Sequence, residues 1–263
     1  MSGSCAGSQR DPISFVYHFS FEDGEEVEIT ARLDGDTLDL IKEERTAPPP
    51  WTQLSSVGCT GCQVDDREGT CPVAANLAEL IDRFNKRLSY EKTSVKVTTP
   101  ERTVCRETTV QHGLSSLTGI YMVTSGCPTM DKLRPMVRFH LPFASLAETT
   151  YRATSMYMLG QYLRSKEGLE PDWTLNGLDA IYRSVHQVNI GIARCIREAA
   201  ERDANANALV RLDLFTDGVS FSIRDALVDL VYLFEPYLEG TSICGSRPGA
   251  NENEVPELGR DET

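Results

Sequence analysis

The sequence predicts an α+β fold, with N-terminal antiparallel strands and a cysteine-rich loop packed on a mainly antiparallel helical bundle. Three observations carry that reading. Residues 14–33 alternate apolar and polar side chains, the period of a half-buried strand. Beyond His112 apolar residues recur at three- and four-residue steps, the period of helices with one buried face. Between these regions, Cys59-Thr60-Gly61-Cys62 and Cys71-Pro72 interrupt both patterns.

The first strand puts Phe15, Tyr17, Phe19 and Phe21 on one face and leaves His18 on the other, polar side. Glu22-Asp23-Gly24-Glu25 supplies a turn, and Val27, Ile29, Ala31 and Leu33 alternate along a second strand. A short third strand is expected over 37–41, then a stiff extended linker at Ala47-Pro48-Pro49-Pro50-Trp51. Pro72 opens a helix reaching about Leu88, and strands follow at 94–98 and 102–109. Helices are then expected over 113–124, from Pro128, over 145–166, and from Thr174 onward. That last helix carries the seam Leu178, Ile181, Val185, Val188, Ile192, Cys195 and Ala199. Two more follow at 205–216 and 222–238, the second burying Ile223, Leu227, Leu230, Val231 and Phe234.

The chain has 263 residues, 40% of them hydrophobic, enough for one domain over 13–240, strand-rich to 110 and helical beyond. Residues 1–12 and the acidic tail 241–263 are expected to be disordered. Twenty-six basic against 39 acidic residues give a net charge of −13, which repels phosphate backbones and disfavours nucleic-acid binding. No stretch has the ~20 apolar residues of a membrane span. The N-terminus lacks the basic and apolar regions of a secretory signal, so a cytoplasmic location is expected. There, eight cysteines read as metal ligands or buried thiols rather than disulfides.

Cys59, Cys62 and Cys71 have the spacing of metal-binding thiolates, and Gly58 and Gly61 allow the tight backbone such a loop needs. Cys71-Pro72 places a thiol at a helix start, where free N–H groups favour a thiolate. Cys127-Pro128 repeats the arrangement and nominates a fourth ligand, with His140 as its rival. Four thiolates predict zinc in a closed, mainly structural site, and an iron–sulfur cluster is the competing occupant of a redox or regulatory protein. A third reading is a metal-dependent enzyme with three cysteine ligands and an open position near His140. A thioredoxin-like role for Cys59 and Cys62 lacks the strand–helix context. Cys195 lies on an apolar seam and reads as core, Cys105 on a strand has no partner, and Cys5 and Cys244 lie near the ends.

Arg134 and Arg138 flank Pro135-Met136-Val137 and are candidates for binding a carboxylate or phosphate beside the metal. Glu148, Arg152 and Tyr157 form a polar helical stripe, read mainly as a surface ion pair. His112 reads as a capping or surface residue, and Asp203 or Asn205 as a helix cap. Asp213, flanked by apolar residues, needs a partner if buried, and Arg134, Arg138 or Arg152 are the candidates. Phosphate-loop, dinucleotide, nucleophile-elbow, zinc-protease and di-iron signatures are absent.

The runs Cys59-x2-Cys62…Cys71-Pro72, Ser125-Gly126-Cys127-Pro128, Arg134-Pro135-Met136…Phe139-His140-Leu141-Pro142-Phe143 and Asp203-Ala204-Asn205…Asn207-Ala208-Leu209 resemble those of an uncharacterised bacterial domain family. The likeness covers roughly residues 13 to 235. It implies a bacterial, cytoplasmic protein and supplies no activity, so the metal argument stands on the cysteines.

Overall fold

The computed structural model describes residues 10–42, 47–60, 62–64, 69–199, 203–221 and 227–238, without the side chains of 213–221. β1 (Ile13–Phe21) and β2 (Glu26–Leu33) form a hairpin closed by Gly24 at φ +84°. β3 (Lys92–Thr98) and β4 (Thr103–Thr109) form a second, and the four strands join antiparallel in the order β2-β1-β3-β4. β1 is therefore interior to the sheet, and its alternation buries Phe15, Tyr17, Phe19 and Phe21 with Ile29, Val95 and Val97 of its neighbours. On the other face His18 is half-buried, 3.6 Å from both Glu26 and Glu28.

α3 (Val110–Val123) follows β4 without a loop and covers the apolar face. It lies very close: a Cβ added at Gly113 would sit 2.6 Å from the Phe19 ring and 2.9 Å from Val95. α2 (Pro72–Phe84) and α7 (Ala204–Phe221) pack on α3, and α6 (Asn176–Ala199) packs on α7. Ala204, Ala206 and Ala208 keep α7 slim where it is buried. Buried amides fix the register, since Asn205 Nδ2 donates to Ile81 O at 3.2 Å and Asn76 Nδ2 to Tyr121 O at 3.1 Å. Asp203 accepts from Ser89 N and Oγ, both at 2.9 Å, so it clamps the turn after α2 as well as preceding α7.

Several expected elements differ. Residues 37–41 are not a strand, because Asp34 Oδ1 accepts the amides of Asp36 and Thr37 and Leu38 turns to φ +62°. Only a Leu33–Leu40 bridge remains. α2 stops at Phe84, short of Leu88, and the segment beyond it carries Arg87. That guanidinium reaches Asp23 at 2.7 Å, Glu25 at 2.5 Å and Glu91 at 3.0 Å, over the Phe21 ring. Of the helix expected at 222–238, residues 222–226 and hence Ile223 lie outside the described residues. Pro236 has no N–H to bond back along a continuous helix and is tolerated only in a first turn, so the chain forms a 3₁₀ turn at Val231–Phe234 and starts a new short helix at Glu235–Leu238. Leu230 is buried there, but Val231 and Phe234 are 40% and 39% exposed. Among the described residues, no helix is long and apolar enough to cross a membrane.

Candidate functional site

The cysteine loop is framed by hydrogen bonds at both ends. The chain enters through a 3₁₀ turn at Pro50–Thr52 and α1 (Leu54–Val57), and leaves where Cys71 N donates to Thr52 O at 2.8 Å. Gly58, at φ +53°, ends α1 and turns the chain into Cys59. α6 presses on this turn. Arg194 Nη2 donates to Val57 O at 2.6 Å, Cys195 Sγ lies 3.1 Å from Ser56 O, and a Cβ at Gly191 would stand 2.9 Å from Val57 O. Cys195 is buried, as its place on the apolar seam predicts.

Cys71 and Cys127 are both buried, Cys59 is half-buried and Cys62 is exposed. Cys71 is the N-cap residue of α2. Burial pushes its thiol pKa up, the amides of Ala74 and Val73 pull it down, and Cys127 and Cys62 raise it again. No side-chain cap hydrogen bond closes there, so the amides act on the sulfur without a full bond. Cys127 follows Gly126, at φ +83°, and its carbonyl accepts Asp131 N at 2.9 Å, the first helical bond of that segment. The Cys59 thiol is pushed up to about 11, by burial first and then by Cys62, Cys127 and Cys71. Cys71 and Cys127 are buried in one core, and Cys59 packs against it. Among the described residues, no three Cys, His, Asp or Glu groups stand close enough to hold a metal ion as they lie. Cys105 is exposed on β4. Cys5 and Cys244 lie outside the described residues.

His140 is held elsewhere, with Nε2 2.6 Å from Tyr17 Oη and 3.4 Å from Ser116 Oγ. Tyr17 Oη and Ser116 Oγ are themselves 2.9 Å apart. The two arginines expected beside the metal do not converge. Arg134 binds Asp39 at 2.7 Å, Asp131 at 3.0 Å and the Thr37 carbonyl. Arg138 lies over the Phe139 ring, 4.0 Å from Glu101. The side chain of Asp213 is outside the described residues. Glu148 closes a capping box with Ser145 at the start of α5 (Leu146–Lys166) and is not ion-paired to Arg152. Arg152 turns inward, donating from Nη2 to Met136 O at 2.7 Å and Phe139 O at 2.9 Å. Tyr157 donates to Asp172 at 2.8 Å.

His140, Ser116 and Arg152 line one half-open cavity of about 160 Å³, bordered by α3, α5, α6 and α4 (Arg134–Arg138). His112 lines it too, holding Thr108 Oγ1 at 3.0 Å and Arg211 Nη2 at 2.9 Å rather than capping a helix at the surface. Burial pushes His140 down to about 3, assisted by Arg152, and His112 down to about 4, assisted by Arg211 and Arg106. Both rings are therefore neutral at pH 7. A histidine depressed on folding contributes stability that is complete above its unfolded pKa near 6.5 and is lost as pH falls towards the folded value. Stability is expected to fall from pH 6.5 down to about 3, and His140→Gln to flatten that dependence in urea denaturation.

Sequence reasoning passed over Tyr17, Ser116 and Tyr182 of this cavity's surroundings. Tyr17 was hidden by its perfect strand alternation, and Ser116 by an apolar helix. It also passed over His186, which shares an open cleft with Cys59, Thr129 and Arg183. Compared with known proteins, the family described as Domain of unknown function (DUF6901) matches residues 15–235. No curated protein matches the chain, and no solved structure does.

Proposed function

Because the chain belongs to that domain family, which carries no assigned activity, we propose from its own residues that Cys59, Cys62, Cys71 and Cys127 hold one zinc ion. The ion pins the cysteine loop to the helical half of the domain. One observation carries this reading: Cys71 and Cys127, far apart in the chain, are buried in one core, and Cys59 packs against it. Buried Cys71 and Cys127 supply the fixed side of the site, and Cys59 and exposed Cys62 the side that closes on it. Protonated thiols attract one another little. A zinc ion ionises them and draws each sulfur to about 2.3 Å, so gathering the four is part of binding. A closed set of four thiolates leaves no position for substrate, which makes the role structural. Reduced thiols accord with a cytoplasmic setting, where we assign the protein.

The test is metal analysis with a visible absorption spectrum on the full chain purified without oxygen. About one zinc per chain in a colourless protein is the expected result. Iron with sulfide and visible absorption would replace zinc by an iron–sulfur cluster on the same ligands. No bound metal, with no uptake of added zinc, would sink both.

A further inference from the structure

We propose that the cavity beside His140 binds a small apolar monocarboxylate of about the size of benzoate, its carboxylate on Arg152. This site is separate from the cysteine loop and independent of the metal. A cavity near 150 Å³ lined by aliphatic and aromatic side chains holds a benzene-sized body, and this one is about 160 Å³. Its wall is mainly apolar, with Val123, Leu133, Val137, Val185 and Leu212 among the contributors. Among the described residues lining it there is no Asp or Glu, and Arg152 is the single Lys or Arg. Glu148, one turn earlier, directs its carboxylate to Ser145 N and Oγ at 2.7 and 2.9 Å. Arg152 joins none of the ion pairs among the described residues.

The Arg152 guanidinium is half-buried, and burial is the largest influence on its charge, acting against it, with Tyr182 and then Glu148 opposing that through space without an ion pair. Carbonyl oxygens of Met136 and Phe139 satisfy part of its five-donor fork but bring no opposing charge. A cation taken from water without a directly paired counter-charge is costly, and a carboxylate offsets that cost while matching the planar fork. Ser116 and Thr149 add hydroxyls to the same wall, able to donate to an anion. The complement of one cation in a half-open apolar cavity with no acid among its described lining residues is a monoanion with an apolar body.

Isothermal titration of the full chain with sodium benzoate and, separately, with uncharged benzamide tests this. Benzoate is expected to bind at least about tenfold more tightly than benzamide. Arg152→Met should erase that preference. Gly119→Leu should abolish binding of both, since Gly119 lines the cavity and a Cβ there meets Leu212 at an ordinary 3.7 Å, leaving the rest of the side chain to fill the space. Should Arg152→Met fail to fold, the wild-type preference and Gly119→Leu decide the matter alone. Absence of benzoate binding, equal binding of benzamide, or benzoate binding that survives Gly119→Leu would each overturn the proposal.

Discussion

Cys127→Ser is expected to release zinc and to lower stability by about 4 kcal/mol when free zinc stands 1,000-fold above the wild-type dissociation constant. The proposed zinc would bind the folded chain alone, so its affinity would add directly to folding stability. Loss of one of four ligands raises the dissociation constant and removes most of that contribution. Cys127 is also buried, and serine in its place carries its own packing and hydrogen-bonding cost. A chelator separates the two effects. Chelation should destabilise wild type in urea denaturation and leave Cys127→Ser unchanged, because the variant has no metal left to lose. Cys105→Ser, at an exposed thiol on β4, should behave as wild type in both measurements. If Cys127→Ser keeps stoichiometric zinc, the fourth ligand lies elsewhere, and His186 beside Cys59 becomes the first residue to replace.

Phe19→Ala is expected to cost about 3–5 kcal/mol, the range for deleting a large aromatic side chain from a packed core. Phe19 is 0% exposed on the interior strand, its ring centre 4.9 Å from that of Phe84 on α2 and its edge against Gly113 of α3. One ring thus joins the sheet to two helices. The same contact makes Gly113→Ala unfavourable. The added methyl collides with Phe19 and Val95, an overpacking cost of about 1–3 kcal/mol that the ~1 kcal/mol gain in helix propensity offsets only in part. Because both changes act on one contact, the double variant should be less destabilised than the sum, since Phe19→Ala vacates the space the methyl needs. Additive costs in urea denaturation would show that α3 does not rest on this ring.

Much of the architecture was legible because its signals are local. The period of two in residues 15–21 marks one face of a strand whatever lies opposite, and the buried set is the one it names. The seam along α6 likewise came out buried at Leu178, Val185, Val188, Ile192 and Cys195. Misreadings arose where local backbone chemistry outcompeted periodicity, as the Asp34 carboxylate did at residues 36–38 and Pro236, lacking an N–H, did near the end. Arg152 was misjudged for another reason. Its i, i+4 relation to Glu148 suggested a surface pair, but Glu148 is claimed by the helix cap and Arg152 by carbonyls of the preceding segment.

Alone, then, the sequence determined the α+β class, the buried faces of β1 and β2, most of the buried seam of α6, and the cysteines at 59, 62, 71 and 127 as the candidate metal ligands. It could do so because strand and helix periods and ligand spacings are relations between near neighbours along the chain. Only the tertiary structure decided that Cys127 is buried in one core with Cys71, that His140 joins Tyr17 from 123 residues away, and that Arg152 faces a cavity with no acid among its described lining residues. Those meetings depend on how helices pack on the sheet, and packing is set by the fit of many distant side chains at once rather than by any spacing in the chain.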